Sequence, residues 1–516
     1  MNKKNNIILV GMPGAGKTYI GEKLAQKLQG FTFVDTDKII EQNMNMSITD
    51  IFNIHGEKVF REEETNAIKD IVKNTNQIIA IGGGAFNQKN IATLKQNGVT
   101  FYLKAPINLI YERIKNESTR PLLMNTDDVK LKLSKLLNER ENLFEKANCI
   151  ISQENIETEE IINKIIQQYK ILKNSIDILS YPVFINSDDL NTLETRILEY
   201  SKGKCFIVID ENVEKIYGKH FRFAPKFVLK SGEKEKNIHN YEKIINFAIK
   251  NKIERNDTLI AIGGGVTGDL AGFAASTYLR GINLIHIPTT LLACVDSSIG
   301  GKTAINSKYG KNLIGSFYQP IAVFCNLNFL KTIDLKQYKT GLAEVLKYAF
   351  IEASCKASEN YDLLELLEHS VERIFNRDHD IVQEIIKICI ELKETVVLKD
   401  EKESNLRQIL NFGHTYGHAI EINSKFKVTH GEAVAQGMIF AFELAIKNRL
   451  ISEKYFNQGI ELIKKYKLYT PLKTLTSKII ETMEHDKKAK NGKINFVLPY
   501  YPKAVEIIKL DPKTFQ

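Results

Sequence analysis

The sequence predicts an α/β protein built on wound parallel sheets, followed by a long helical region. Three observations carry that expectation. Short apolar runs recur up to about residue 325, separated by stretches of helical spacing. Two of those runs end in glycine-rich turns that open a helix. After about residue 330 the apolar residues switch to helical periodicity and hold it to about 484. The chain has 516 residues, 43% hydrophobic and 26% charged. That is enough for two to four domains with cores of their own, and it excludes a disordered chain, a collagen or a membrane-embedded bundle.

In chain order, residues 7–10 read as a strand, then a glycine loop, then an amphipathic helix from Thr18 to Leu28. Strand-like runs follow at 31–34, 78–81 and 99–103. From Glu157 to Leu172 the residues Ile161, Ile162, Ile165, Ile166 and Tyr169 keep helical spacing. A domain boundary is placed at the end of that stretch. A second α/β block offers strands at 181–185, 205–209, 226–230, 258–262, 283–287 and 321–325, and a late strand at 494–498. The segments 288–293, 296–303 and 310–315, with little apolar periodicity, read as polar loops with a ligand-related reason to exist. The expected units are 1–172, an α/β domain with a parallel sheet; 173–330, a second α/β domain; and 331–516, a helical domain.

Six cysteines with no C-x-x-C pair argue against a disulfide framework or zinc knuckle and for a reducing cytoplasm. Lys3 and Lys4 precede only four apolar residues, too few for a signal peptide, and no run approaches a spanning helix. No membrane partner is expected. The net charge is +9, of which +2 falls in 1–170 and +7 in the remainder. The surplus is spread out and lacks an aromatic–basic patch, so the cations point to small anionic substrates and not to nucleic acid.

Gly11-Met-Pro-Gly14-Ala15-Gly16-Lys17-Thr18 lies between a strand and a helix. Its backbone N–H groups can wrap phosphates, Lys17 can neutralise the transferred phosphoryl group, and the Thr18 hydroxyl can hold Mg²⁺. Asp35 and Asp37 stand at the end of the next strand, where acceptor groups gather in open sheets. Downstream, His414 and His418 stand at i, i+4 on one helix face and His430 follows twelve residues later. By spacing alone all three could bind Zn²⁺ with a carboxylate from elsewhere, or be core and surface histidines. Gly263-Gly264-Gly265-Val-Thr-Gly-Asp269 follows a strand and could approach a pyrophosphate.

Residues 5–170 resemble shikimate kinase through G-x-x-G-x-G-K-T, D-T-D-x-x-I-E, G-E-x-x-F-R, G-G-G-A, R-P-L-L and a late E-R. The resemblance implies a P-loop kinase that uses ATP with Mg²⁺ to phosphorylate shikimate. It implies ATP contacts at Gly14, Ala15, Gly16, Lys17, Thr18 and Arg120, with Arg120 on a lid of about 116–127. It implies shikimate contacts at Asp37, Arg61, Gly83 and Arg140, with Asp37 orienting the attacking hydroxyl. Thr18 and Asp35 would serve the Mg²⁺. Phe144 stands where the family usually has Tyr.

From about 176 onward the chain resembles 3-dehydroquinate synthase through S-G-E-x-x-K, G-G-G-V-x-G-D, D-S-S-I-G-G-K-T, G-K-N-L-I-G, G-L-A-E-V-L-K, L-N-F-G-H-T-x-G-H-A-I-E and H-G-E-A-V. This implies a Rossmann-like NAD-binding domain and a helical metal-binding domain. Glu344, His414 and His430 would hold Zn²⁺ or Co²⁺, which leaves His418 to handle a proton or catalytic water. NAD would meet Asp210, Glu233, Lys236, Gly264, Gly265, Asp269, Thr289, Thr290, Asp296, Lys302 and Lys311. The substrate, 3-deoxy-D-arabino-heptulosonate 7-phosphate, would meet Arg280, Asp296, Lys302, Asn312, Lys347, Lys393, Arg407, Asn411, His418 and Lys487 or Lys488. Of these, Lys302, Lys347, Lys393, Arg407, Asn411 and His418 would take part in catalysis. Ser231 and Asn405 depart from the family's usual residues. A homodimer through this module is allowed. The rival readings are a related sugar-phosphate cyclase or a polyol dehydrogenase for the second module, and a non-catalytic nucleotide-binding module for the first.

Overall fold

The computed structural model describes residues 5–115, 129–172, 175–178, 181–355, 357, 361–400, 406–424, 427–472, 476–484 and 494–511. The chain divides into two compact units, 1–175 and 176–516.

The first unit holds a five-stranded sheet: β1 (Asn6–Val10), β2 (Thr32–Asp35), β3 (Gln77–Ala80), β4 (Gly98–Lys104) and β5 (Cys149–Ser152), in the order β2-β3-β1-β4-β5. All four pairings are parallel. Every residue of β1 is buried, as its unbroken Asn-Ile-Ile-Leu-Val run requires of a central parallel strand. Strands β2 and β3 lie to one side of β1, β4 and β5 to the other. The turn leaving β1 is therefore at a topological switch point, the usual place for a ligand in an open sheet. The helix Thr158–Leu172 closes this unit. Phe144 is buried and stacks on Tyr102 at 5.1 Å, so a core contact fills that position.

The second unit opens with a seven-stranded sheet made of β6 (Ser175–Ile178), β7 (Tyr181–Asn186), β8 (Cys205–Asp210), β9 (Lys226–Leu229), β10 (Thr258–Gly263), β11 (Asn283–Pro288) and β14 (Ala322–Asn326). Its order is β6-β7-β14-β11-β10-β8-β9, with parallel neighbours from β7 to β9. The expected polar loops are in part regular. Residues Ala293–Ser297 form a π-helical turn, and β12 (Lys302–Ser307) pairs antiparallel with β13 (Gly310–Phe317). Four consecutive residues of β13, Asn312–Gly315, are exposed. An apolar stripe of period two is therefore lacking, and the hairpin escapes a pattern search.

Beyond residue 331 the described elements are helices until a late hairpin, β15 (Ile494–Tyr501) with β16 (Ala504–Leu510). Its longest helices are Leu335–Cys355, His379–Lys399 and His430–Lys447. One apolar cluster unites these helices with β7, β14 and the π-helical turn. A second cluster lies between the sheet and the helix Gly265–Thr277. Among the described residues no helix is long and apolar enough to cross a membrane.

The buried Glu352, near the end of its helix, accepts from the Leu363 N–H at 3.0 Å. Burial raises its carboxyl to about 7, against the pull of Lys503, from an ordinary 4.5. The folded chain holds this proton more tightly than the unfolded one. That stabilisation is complete below about pH 4.5 and is lost as pH rises through about 7. Glu352→Gln keeps an acceptor and cannot ionise. It is expected to raise Tm at about pH 8 and to flatten the decline between those two values in thermal scans; an unchanged profile contradicts the assignment.

Candidate functional site

In the first unit the glycine loop after β1 takes positive φ at Gly11, Gly14 and Gly16 (146°, 82° and 87°) and delivers Lys17 as the first residue of the helix Lys17–Lys27. Gly16 is the N-cap and offers no side-chain cap, so the helix's first N–H groups stay available for an anion. The Lys17 ammonium donates to the loop's own carbonyls, Gly11 at 3.0 Å and Met12 at 3.1 Å. Thr18 donates to Asp35 Oδ2 at 2.9 Å, while Asp35 Oδ1 accepts the Asp37 N–H and caps the next helix.

Beside this loop the expected acceptor groups converge. Gly82 lies against both Asp37 and Glu64, Gly83 against Pro13, and Gly84 against the Arg61 guanidinium. Arg140 donates to the Gly83 carbonyl at 3.0 Å. Arg61 already has partners in Glu57 at 2.9 Å and Glu64 at 2.5 Å. Burial raises the Glu64 carboxyl and Arg61 opposes it; the side chain is 1% exposed. Sequence reading missed Glu64, whose signal is its i+3 spacing from Arg61. It also missed Arg113 and Gln153. Arg113 donates to Gln153 at 3.1 Å, and Gln153 donates to the Ala15 carbonyl at 2.8 Å, so both border the phosphate loop. Arg120 and its segment lie outside the described residues, as do Asn405, Lys487 and Lys488.

The second site lies among helices that cross closely. Gly413, with φ 77°, starts the helix His414–Asn423, and a capping box of Thr429 and Glu432 starts the helix His430–Lys447 at His430 itself. At the crossing, a Cβ on Gly437 would lie 1.7 Å from the Gly413 carbonyl oxygen. Only glycine permits this approach, and the approach brings the histidines of both helices together.

Glu344, on the helix Leu335–Cys355, is fully buried. Its Oε1 is 3.1 Å from His430 Nε2 and 3.4 Å from His414 Nε2, and its Oε2 is 2.5 Å from the Lys347 ammonium. The His414 Nδ1 donates to the Phe412 carbonyl at 3.0 Å, which turns the Nε2 lone pair inward. Burial would raise the Glu344 carboxyl, but Lys347 and His414 hold it well below the usual range. Donor atoms of Glu344, His414 and His430 lie within 4.8 Å of one another. One carboxylate and two imidazole nitrogens closing on one point form a donor set that suits a divalent cation with an open position. His418, His430 and Glu421 form a second group of the same closeness.

The charge network continues from there. Lys347 faces Asp296 at 3.9 Å, and Tyr348 donates to Asp296 at 3.1 Å. Lys393 donates to the Asp296 carbonyl at 2.6 Å and also to its carboxylate. Burial lowers the Lys393 ammonium to about 8, with Asp296 opposing. Arg407, 1% exposed, donates to the Gly300 carbonyl at 3.2 Å, and Asn411 ends the same short helix.

On the sheet side Gly264 caps the helix Gly265–Thr277, with Thr290 against Gly264 and Ser297 against Gly265. The Thr289 N–H donates to the Gly263 carbonyl. Lys236 pairs with Asp269 and donates to Asn312 at 2.6 Å. Lys311 reaches Glu421 at 2.7 Å and Glu233 at 3.8 Å. Asp210 accepts from the Ser231 hydroxyl at 2.7 and 2.8 Å, so Ser231 anchors this acid.

Of the residues expected at the substrate, Arg280 and Lys302 are exposed. Arg280 is exposed on the turn entering β11, the opposite end of that strand from Thr289, about 20 Å along the backbone at the usual rise. Lys302 is also exposed, where it opens β12.

Residues 13–170 match the family model for shikimate kinase. Residues 226–340 and 341–489 match those for the N-terminal and C-terminal parts of 3-dehydroquinate synthase. The chain is 42% identical to the 3-dehydroquinate synthase of Alkaliphilus oremlandii, across 65% of this chain and 92% of that protein. It is 44% identical to the 3-dehydroquinate synthase of Helicobacter pylori strain HPAG1, across 65% and 94%. A solved 2-deoxy-scyllo-inosose synthase complexed with carbaglucose-6-phosphate, NAD⁺ and Co²⁺ superposes with a TM-score of 0.58 at 27% identity, covering 66% of this chain and 97% of that one.

The Gly437–Gly413 contact predicts its own test. Gly437→Ala must push the two helices apart, at a cost of about 1–3 kcal/mol. The expected outcome is a lower Tm together with weaker binding of Co²⁺ to the metal-free chain by titration; unchanged values of both contradict the role given to the crossing.

Proposed function

The chain belongs to the 3-dehydroquinate synthase family, with a shikimate kinase domain ahead of the synthase, and we propose that each activity is carried by the cluster described in its own unit. The observation that carries the synthase reading is the convergence of Glu344, His414 and His430 on one point beside Lys347 and Asp296. A divalent cation held there supplies Lewis acidity, and NAD⁺ in the glycine turn supplies a reversible hydride acceptor. The substrate of the family's reaction is 3-deoxy-D-arabino-heptulosonate 7-phosphate, which loses phosphate and closes to a carbocycle.

The chain's own residues would then divide the work. Gly264 and Gly265 let the dinucleotide approach the helix N-terminus. Asp296, fixed by Lys393 and Tyr348, orients the reacting hydroxyls. Lys347, Lys393 and Arg407 form a buried cationic wall that favours the departing phosphate dianion. His418 stands one turn from His414, ring centroids 5.2 Å apart, and is the group suited to move a proton. In the first unit Lys17 would leave its loop carbonyls for the γ-phosphate, Thr18 and Asp35 would serve Mg²⁺, and Asp37 would orient the shikimate hydroxyl. Arg61 and Arg140 would bind the carboxylate. A homodimer through the synthase module, in which the exposed Arg280 of a second copy reaches the substrate, is part of this reading. The six free cysteines support a reducing, cytoplasmic setting.

Two substitutions separate the activities. Lys17→Ala is expected to lower shikimate-dependent ATP consumption by about 10²-fold or more and to leave phosphate release from the heptulosonate phosphate intact. His414→Ala is expected to do the reverse. A single substitution that abolished both activities would contradict the assignment of one site to each unit.

A further inference from the structure

The carboxylate of Glu421 belongs to none of the roles above, yet it is enclosed by them. It lies on the same helix as His414 and His418, two turns from the first, and is only 8% exposed. One of its oxygens faces His430 Nδ1 at 3.6 Å; the other accepts from the Lys311 ammonium at 2.7 Å. His430 therefore stands between two carboxylates, with Nε2 toward Glu344 at 3.1 Å and Nδ1 toward Glu421. With a cation among Glu344, His414 and His430, an imidazole held in this way would keep its proton on Nδ1, toward Glu421, and give its Nε2 lone pair to the cation. His414 reaches the same state through the Phe412 carbonyl. Each of the two histidines thus has an acceptor behind it, one a backbone carbonyl and one an acid.

We propose that Glu421 is the positioning residue of the metal centre, fixing the tautomer and ring orientation of His430, and that Lys311 at the β12–β13 tip clamps Glu421 in place. The proposal rests on the reading of Glu344, His414 and His430 as the cation's donors. Lys311 also approaches Glu233, which accepts from Asn306 at 2.7 Å, so the clamp ties the histidine to the hairpin beside the dinucleotide turn. A carboxylate behind a metal-bound histidine raises its basicity and restricts its rotation, and its loss typically costs 10- to 100-fold in metal affinity. The alternative role for Glu421 is that of a ligand in a second cation site with His418 and His430, whose donor atoms are equally close. The Lys311 ammonium, bonded to the same carboxylate, opposes a second dication there.

The test is Co²⁺ titration of the metal-free full-length chain, followed by visible absorption and chelator competition. The unsubstituted chain is expected to bind one Co²⁺. Glu421→Gln is expected to raise its Kd about 10- to 100-fold while leaving the band positions at saturation unchanged, because the donor set is unchanged. Glu421→Asp is expected to recover part of the loss. Lys311→Met, which keeps the carboxylate and frees it to turn, is expected to weaken binding by a smaller factor, and it carries the test should Glu421→Gln fail to fold. An unchanged Kd in both Glu421→Gln and Lys311→Met overturns the proposal. So does a second Co²⁺ in the unsubstituted chain that Glu421→Gln removes. Co²⁺ binding that survives His414→Ala would instead overturn the reading of the donors themselves.

Discussion

The second unit is organised around one constraint: a fully buried carboxylate, Glu344, in the middle of a helix that packs most of its length into the core. An unpaired charge there would cost several kcal/mol even after relaxation. The surrounding elements supply its compensation from three directions. Lys347 comes from the next turn, His414 from a helix begun at a left-handed glycine, and His430 from a helix begun by a capping box. The glycine crossing at Gly413 and Gly437 exists to let those helices reach it. Lys347 in turn needs Asp296, and Asp296 needs Lys393 and Tyr348. The result is a sequence of alternating charges from the helical half to the sheet half, assembled before any substrate arrives, as preorganised electrostatic catalysis requires.

The first unit meets a different constraint with simpler means. The helix N-terminus has no capping side chain, and three glycines with positive φ shape the loop above it. Lys17 satisfies the loop's carbonyls meanwhile. Around it, Glu64 and Glu57 hold Arg61 in the way Asp296 holds Lys393: the cation is pre-paired, and an anionic substrate competes for it. Each unit thus keeps its anion-binding cations occupied by internal partners.

Much of this was legible in the amino-acid sequence, for physical reasons that differ by element. Parallel strands buried on both faces write unbroken apolar runs, so β1, β8, β10, β11 and β14 were placed closely. The hairpin β12–β13 did not announce itself, because its exposed residues Leu313 and Ile314 sit between Asn312 and Gly315 and leave no stripe. The histidines were visible as a cluster of three within seventeen residues. Spacing could not choose among them, nor find Glu344 seventy residues earlier; family resemblance nominated that acid. Glu64, Glu421 and Arg113 escaped because a lone charge looks the same in sequence whether it faces water or a buried partner. Of the second unit's cations, Lys236, Lys347, Lys393 and Arg407 are buried, and the first three pair with Asp269, Glu344 and Asp296.

The central claim is that Glu344 organises the synthase site and that the kinase site is separate from it. Glu344→Gln removes the charge and keeps the shape. Divalent-metal binding and phosphate release from the heptulosonate phosphate, measured on one preparation beside shikimate-dependent ATP consumption, test both halves of the claim. The account predicts loss of the first two with the third unchanged. Bound metal and undiminished phosphate release in Glu344→Gln would contradict it.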